Sequence, residues 1–225
     1  MKQLPLLVIS FYLLSCNKSN DVDYSKYSAI SLMEKHSLIT EKFVDNRNHW
    51  NNIDTALLYN PDTYLFDLCQ LNAAGEMTIT ANGGLGDQYF NYDSLAYLRN
   101  FELESEIKFI RIKPNQNNDT RGVCYMDWGF EDINSHVNFI KFENNGLIDF
   151  GDSQGLSRAG VPIQGLNVNA YNKYTIRKVG NSIFYFVNER FIGKSSLHLI
   201  AGNNIGFRVF KNNVFTMRNF RFVKF

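Results

Sequence analysis

The sequence has almost no net charge, because 23 lysine and arginine residues are balanced by 22 aspartate and glutamate residues, giving +1 at pH 7. Proteins that bind nucleic acids need a basic surface that displaces counterions from the phosphates. The charge balance therefore argues against a nucleic-acid partner. The chain also lacks an internal repeat, an interdomain linker and an apolar run of about 20 residues, the length that a membrane-spanning helix needs.

Motifs for common chemistries are scarce as well. The glycine-rich stretch NGGLG, residues 82–86, is not followed by Lys-Ser or Lys-Thr, so it does not predict a phosphate-binding loop. The four histidines lack metal-ligand spacing, and neither Cys69 nor Cys124 has a CxxC or histidine partner. A Cys69–Cys124 disulfide is an alternative in an oxidising compartment, but the strand-like runs around both cysteines favour buried free thiols.

The first sixteen residues, MKQLPLLVISFYLLSC, have a positive charge at Lys2 and an apolar run over residues 4–14. The run is too short to cross a bilayer but fits the core of a cleavable signal peptide. Leu13-Leu14-Ser15-Cys16 resembles the bacterial lipobox, which implies cleavage before Cys16 and diacylation of its thiol. We predict a lipoprotein signal peptide over residues 1–15 and lipidation at Cys16, with a plain secretory signal as the alternative.

The segment after Cys16 predicts a tether. Cleavage would remove Lys2 and leave a mature formal charge of 22 − 22 = 0. Residues 16–37 would comprise the lipidated cysteine, a polar tether and a short helix, since Tyr27, Ile30 and Met33 are three apart. The stretch NKSNDVD loosely resembles the acidic export tags of some surface lipoproteins. We expect a lipid-anchored protein of the bacterial outer membrane, on the periplasmic side or at the cell surface.

From Leu38 onward, aromatic and β-branched runs alternate with turns rich in asparagine and glycine. The clearest section is NKYTIRKV, SIFYFV and RFIGKS, three strands that are joined by two-residue turns. About a dozen short strands, with no further helix after the short one near the N-terminus, predict an all-β sandwich or barrel over residues 38–225.

Three stretches resemble concanavalin A-like jelly rolls: FVDNRNHW, GVCYMDWGFEDINSHVNFIKFENNGLIDFG and NKYTIRKVGNSIFYFVNERFIG with the following AGNNIGFRVFKNNVFTMRNFRF. The likeness is greatest to laminin-G-like modules and to the 3-keto-disaccharide hydrolase domains of bacterial envelopes. It implies a jelly-roll β-sandwich of two antiparallel sheets, with the ligand site on the concave face or at its rim. Such pattern matches identify a fold better than an activity.

The stretch FELESEIKFI places Glu102, Glu104 and Glu106 on one side of a strand, and Phe101, Leu103, Ser105, Ile107 and Phe109 on the other. The family-sixteen glycoside hydrolases of this fold carry E-x-D-x-E, which ELESE resembles, although Glu104 replaces the aspartate and Ser105 an apolar residue. A retaining glycosidase needs two carboxyl groups about 5–5.5 Å apart. We interpret the three glutamates as the solvated face of a strand, with catalysis as the alternative.

Sugar-binding grooves combine aromatic rings with amide and carboxylate groups. Tyr125 and Asp127 supply these residue types, as does the loop that contains Tyr89 and Tyr92. We take these four as the candidate ligand-binding residues. Trp128 shares one strand face with Cys124 and Met126, so we predict that it belongs to the core.

A structural calcium ion is a further expectation. Jelly rolls of this type often bind Ca²⁺ where the first and last strands meet, and Asp45 and Asn219 stand at comparable places. Two ligands fall short of the six to eight oxygens that calcium takes. No other cofactor is predicted.

The sequence favours a non-catalytic, lipid-anchored envelope protein that binds a carbohydrate or another envelope component through its jelly roll. One alternative is a hydrolase of glycosides or 3-keto-disaccharides. Another is a protein-binding accessory subunit of a glycan-uptake complex.

Overall fold

The computed structural model describes residues 30–31, 33–51, 56–60, 65–81, 86–112, 122–132, 135–210 and 213–225. Within them a single 3-10 turn, Leu95–Tyr97, interrupts a succession of strands. In chain order these strands are β1 His36–Glu41, β2 Ala56–Asn60, β3 Leu65–Asn72, β4 Glu76–Ala81, β5 Gly86–Asn91, β6 Asn100–Ile112, β7 Val123–Phe130, β8 Asn138–Glu143, β9 Leu147–Asp152, β10 Gly155–Pro162, β11 Asn172–Val179, β12 Ser182–Val187, β13 Arg190–Ser196, β14 Asn204–Val209 and β15 Asn213–Lys224.

The described strands pair into two antiparallel sheets. The nine-stranded sheet has the order β13-β12-β11-β6-β15-β4-β3-β2, and β1 pairs with β15 outside this path. The six-stranded sheet has the order β10-β9-β8-β7-β14-β5. The predicted all-β sandwich of two antiparallel sheets is therefore confirmed.

The core lies between the sheets because apolar residues recur at every second position of the strands. In β6 the side chains of Leu103 and Ile107 are buried, and in β7 those of Cys124, Met126 and Trp128 are fully buried. The prediction that Trp128 is a core residue is confirmed.

The loop after β1 contributes a second tryptophan that links both sheets. The Trp50 ring lies 4.8 Å from Phe90 of β5 and 5.8 Å from Phe207 of β14, both in the six-stranded sheet. It also lies 5.5 Å from Phe220 of β15, which belongs to the nine-stranded sheet. The Nε1 group of Trp50 donates to the buried Glu41 carboxylate at 3.3 Å, so the polar atom of this core side chain is satisfied.

The first strand that the structure describes begins at His36, and the predicted domain boundary at residue 38 stays a prediction. The predicted short helix falls mostly outside the described residues, and the described Met33 and Glu34 form a turn. Cys16, the signal peptide and most of the tether lie outside the described residues too, so they stay predictions.

The two cysteines of the sandwich, Cys69 and Cys124, are not disulfide-bonded, and both are fully buried. The disulfide that the sequence left open is therefore not formed. No helix in the part of the chain that the structure describes has the length and apolar character needed to cross a bilayer.

Candidate functional site

Tyr125 and Asp127 lie on the outer face of the six-stranded sheet, opposite the core residues Cys124, Met126 and Trp128. Strand register extends this face to the neighbours of β7. Arg208 of β14 and Lys141 of β8 flank Tyr125, whereas Gly206 of β14 and Phe139 of β8 flank Asp127. Asp87 and Tyr89 of β5 pair with Arg208 and Gly206. We call this surface the Tyr125 face; its residues are Asp87, Tyr89, Tyr125, Asp127, Phe139, Lys141 and Arg208.

A buried ion pair lies at the centre of the Tyr125 face. The Asp127 carboxylate is 2.9 Å from Nε of Arg208 and accepts a hydrogen bond from its NH2 group at 3.1 Å. Asp127 is 1% exposed, which is unusual for a residue on the outside of a sheet. Burial raises the pKa of Asp127 to about 7, although the Arg208 guanidinium opposes that shift.

Aromatic rings surround this ion pair. The Arg208 guanidinium lies 4.4 Å from the centre of the Tyr125 ring, a cation–π contact. The Tyr125 ring also lies 5.4 Å from Phe139 and 5.3 Å from Phe210, whose side chain is 38% exposed. The arrangement offers apolar rings next to a fixed pair of opposite charges.

Lys141 connects the Tyr125 face to two further carboxylates. Its Nζ lies 2.8 Å from Glu143 and 2.5 Å from Asp149. Burial alone would lower the pKa of Lys141, but the hydrogen bonds that its ammonium donates to Asp149 and Glu143 outweigh that effect and raise the pKa. The lysine is therefore charged at neutral pH.

The four predicted ligand-binding residues are only partly brought together. Tyr89, Tyr125 and Asp127 share the outer face of the sheet, with Gly206 between Tyr89 and Asp127. Tyr92 follows the last residue of β5 and is three positions after Tyr89, so it lies on the other side of the sheet. It packs against the core, where its ring centre lies 4.8 Å from that of Phe222.

The interpretation of Glu102 and Glu104 as a solvated strand face is wrong. Both side chains are buried, at 0% and 3% exposure, on the outer face of the nine-stranded sheet. Glu102 pairs with Arg177 of β11 at 2.5 Å and with Lys35 of the segment that precedes β1. Long cationic side chains from neighbouring segments cover the carboxylates and take the place of water.

Glu104 and Glu106 form similar pairs further along β6. Glu104 lies 2.7 Å from both Lys173 and Arg221. Glu106, which is partly exposed, accepts from Arg218 at 2.7 Å and from Asn219 at 2.9 Å. A polar cavity of about 280 Å³ lies over these groups and reaches the end of β1 at residues 40–42.

This arrangement does not favour catalysis by the three glutamates. A glycosidase acid must hold its proton near neutral pH, which requires a raised pKa. Burial would raise the pKa of Glu106, but hydrogen bonds from Asn219 and Arg218 outweigh it and leave the pKa below its ordinary value. Each of the three carboxylates is also held by at least one cation.

The two predicted calcium ligands have other partners. Asp45 is exposed and binds Arg47 through both carboxylate oxygens at 2.7 Å. Asn219 donates to Glu106, and its backbone φ of 53° belongs to an irregularity of β15. Within the described ranges, no group of three or more His, Cys, Asp or Glu residues is placed to hold a metal ion.

Sequence reasoning missed Arg208, Lys141, Phe139 and Phe210. The alternation in GFRVF and NFIKFE indicates that Arg208 and Lys141 point away from the core. Their proximity to Tyr125 depends on the pairing of β8, β7 and β14, which a single sequence does not reveal.

No protein-family model matches the sequence, and no curated protein matches it. Solved structures do match. The catalytic domain of an endo-1,3-β-glucanase (laminarinase) from Thermotoga petrophila RKU-1 aligns with a TM-score of 0.58 and 8% identity, covering 84% of this chain and 98% of that chain. The Bacillus licheniformis β-glucanase aligns with a TM-score of 0.57 and 12% identity, covering 83% and 97%.

A third match is the CBM2 module of the evolved Dit of Lactobacillus casei BL23 phage J-1. Its TM-score is 0.57 at 10% identity, with coverage of 85% of this chain and 96% of that chain. At such identities the likeness shows the fold alone. It supports the concanavalin A-like jelly roll that the sequence predicted.

Proposed function

We propose that this protein is a lipid-anchored envelope protein whose jelly roll binds a carbohydrate on the Tyr125 face without catalysis. One observation carries the proposal: a half-buried tyrosine lies beside a buried aspartate–arginine pair on the outer face of a sheet. Aromatic rings stack on sugar rings, and the Arg208 guanidinium, which the buried Asp127 carboxylate holds in place, can donate to adjacent hydroxyls.

The comparisons support this proposal at the level of the fold. Two glucanases and a CBM2 module share the architecture with high coverage. Because one fold hosts many functions, the argument for a ligand depends on the residues of the Tyr125 face and not on the neighbours.

A binding role is favoured over hydrolysis because Asp127, Glu143 and Asp149, on and beside the Tyr125 face, are each engaged by a cation. Arg208 holds Asp127, and Lys141 holds Glu143 and Asp149. A retaining or inverting glycosidase needs one carboxylic acid and one carboxylate positioned on either side of the scissile bond. Carboxylates fixed by Arg208 and Lys141 suit hydrogen bonding to hydroxyl groups better.

The binding proposal is tested with a glycan array that includes β-1,3-glucans and mixed-linkage β-glucans, followed by calorimetry on the glycan with the strongest signal. We expect Tyr125→Ala to weaken binding at least tenfold, since stacking is lost. Tyr171→Ala is the matched control, because Tyr171 lies against Lys108 and Arg218 of the other sheet. Equal losses in both variants would contradict the proposal.

Two further readouts separate the alternatives. Release of reducing sugar by the wild type would favour a hydrolase. An empty array together with a stable protein partner, co-purified from solubilised membranes, would favour an accessory subunit of a glycan-uptake complex.

The anchor is proposed at Cys16. Diacylation together with an N-acyl chain would exceed the two hydrophobic signals that stable membrane attachment needs. Labelling cells with radioactive palmitate should mark the wild type and leave Cys16→Ser unlabelled and released from the outer membrane. Labelling of the Cys16→Ser variant would contradict the assignment.

A further inference from the structure

A second cavity, outside the Tyr125 face, lies at one end of the sandwich. It has a volume of about 580 Å³ and lies between the 3-10 turn that precedes β6 and the hairpin turn that joins β11 to β12. Its lining consists of residues 96–99, Lys178 and residues 180–182. We call it the Tyr97 pocket. Its size is within the range of about 300–1,000 Å³ that is typical of small-molecule sites.

Lys178 brings a positive charge to the Tyr97 pocket that has no ion pair with any carboxylate in the described part of the chain. The residue is 5% exposed, and its Nζ donates to the backbone carbonyls of Leu98 and Arg99, each at 2.9 Å. The centre of the Phe101 ring lies 5.7 Å from this Nζ. An ammonium has three donors, so one remains for a ligand.

The rest of the lining adds charge of the same sign. The exposed Arg99 is the second cation, and among the described residues no carboxylate lines this pocket. Burial lowers the pKa of Lys178, because the charged form of the ammonium loses its hydration there. An anionic ligand would remove that penalty, and the planar guanidinium of Arg99 suits a carboxylate in particular.

Tyr97 supplies an aromatic surface at the same pocket. Tyr97 is 87% exposed. A ring in this position contributes little to folding, because it buries almost no area. An exposed ring beside polar groups is typical of a surface on which a sugar ring stacks.

We propose that the Tyr97 pocket binds a uronic acid unit of an acidic polysaccharide. The sugar ring stacks on Tyr97, and its carboxylate pairs with Arg99 and with the free donor of Lys178. The Ser182 hydroxyl and the Asn181 amide line the pocket and can bond the sugar hydroxyls. This site is separate from the Tyr125 face, so the inference stands whether or not that face binds a glycan.

The test is calorimetric titration of the full-length protein with hexagalacturonate at low salt, with maltohexaose as the uncharged counterpart. We expect hexagalacturonate to bind and maltohexaose to bind at least tenfold more weakly to this site. Arg99→Ala and Lys178→Met should each weaken hexagalacturonate binding about tenfold, and Tyr97→Ala about fivefold. Arg190→Ala, which removes an exposed cation at the β12–β13 turn, is the matched control and should leave binding unchanged.

Several results would overturn the proposal. One is the absence of hexagalacturonate binding to the wild type. Another is unchanged binding of hexagalacturonate by Arg99→Ala. Because Arg99 is exposed, this variant should fold normally even if Lys178→Met does not. Competition by inorganic phosphate or sulfate at equal affinity, with no effect of Tyr97→Ala, would show a simple anion site and reject the sugar. Loss of binding in Tyr125→Ala would place the uronate on the other face.

Discussion

The Glu102 carboxylate receives two N–H groups of Arg177, from Nε at 2.6 Å and NH2 at 2.5 Å, where Glu102 is completely buried and Arg177 is 4% exposed. Lys35 pairs with the other oxygen of the same carboxylate. One buried anion therefore pairs with two cations from different segments of the chain. The arrangement ties the residues before β1 to the centre of the nine-stranded sheet.

Glu102→Gln should be among the most destabilising single substitutions on this sheet. Removing one partner of a buried ion pair costs about 3–5 kcal/mol, because an uncompensated charge stays in the interior. Urea unfolding of the wild type and the variant measures the loss. Glu106→Gln is the control: its carboxylate is 28% exposed and its Arg218 partner 42%, so less than about 1 kcal/mol is expected. Similar losses in the two variants would contradict this account.

The fold was predictable from the sequence because period-two burial is a local property. Leu103 and Ile107 face inward as their positions in FELESEIKFI indicate, and Trp128 follows the same phase in β7. The polar phase was harder to interpret. Lys35, 67 residues before Glu102, and Arg177, 75 residues after it, cover the strand face that the sequence suggested was wet.

The candidate site was likewise predictable only where its residues are close together in the sequence. Tyr125 and Asp127 were found because they are two positions apart on one strand. Arg208 comes from a strand 81 residues after Asp127, and only the pairing of β14 with β7 brings it there. Tyr92 was grouped with Tyr89 because they are close in sequence, but the odd spacing places the two rings on opposite sides.

Gly206→Ala should destabilise the six-stranded sheet beside Asp127. A Cβ at this position would lie 2.2 Å from the Gln88 carbonyl oxygen and 2.7 Å from the Tyr89 Cβ, contacts that the backbone cannot relieve cheaply. Overpacking of this kind costs roughly 1–3 kcal/mol or more. Gly155→Ala is the matched control, since a Cβ there meets nothing within 4 Å. Urea midpoints compare them, and an unchanged midpoint for Gly206→Ala would contradict the packing.

Cys69 and Cys124 should resist alkylation in the folded protein. Both thiols are fully buried, and burial raises the pKa of Cys124 well above its ordinary value, which suppresses the reactive thiolate. Mass spectrometry after iodoacetamide treatment should find both residues modified only when denaturant is present. Modification of either thiol at native rates close to those of a free peptide would contradict the burial.

Asp127 should make stability depend on pH between about pH 4 and pH 7. Burial raises its pKa in the folded protein to about 7, against an ordinary value of 3.8. The unfolded chain therefore loses this proton at lower pH than the folded chain does. The stabilising contribution is complete below the unfolded pKa and is lost as the pH rises through the folded pKa, with a slope of at most about 1.4 kcal/mol per pH unit.

Asp127→Asn isolates this contribution, because asparagine does not titrate. From pH 4.5 to pH 7.5 the wild type should lose unfolding free energy relative to Asp127→Asn, by at most about 1.4 kcal/mol per pH unit. Asp45→Asn is the comparison: hydrogen bonds from Arg47 lower the pKa of the exposed Asp45, so any effect has the opposite sign. A difference in unfolding free energy that is constant over this pH range would contradict the prediction. It would mean that Arg208 keeps Asp127 ionised in the folded protein at every pH tested.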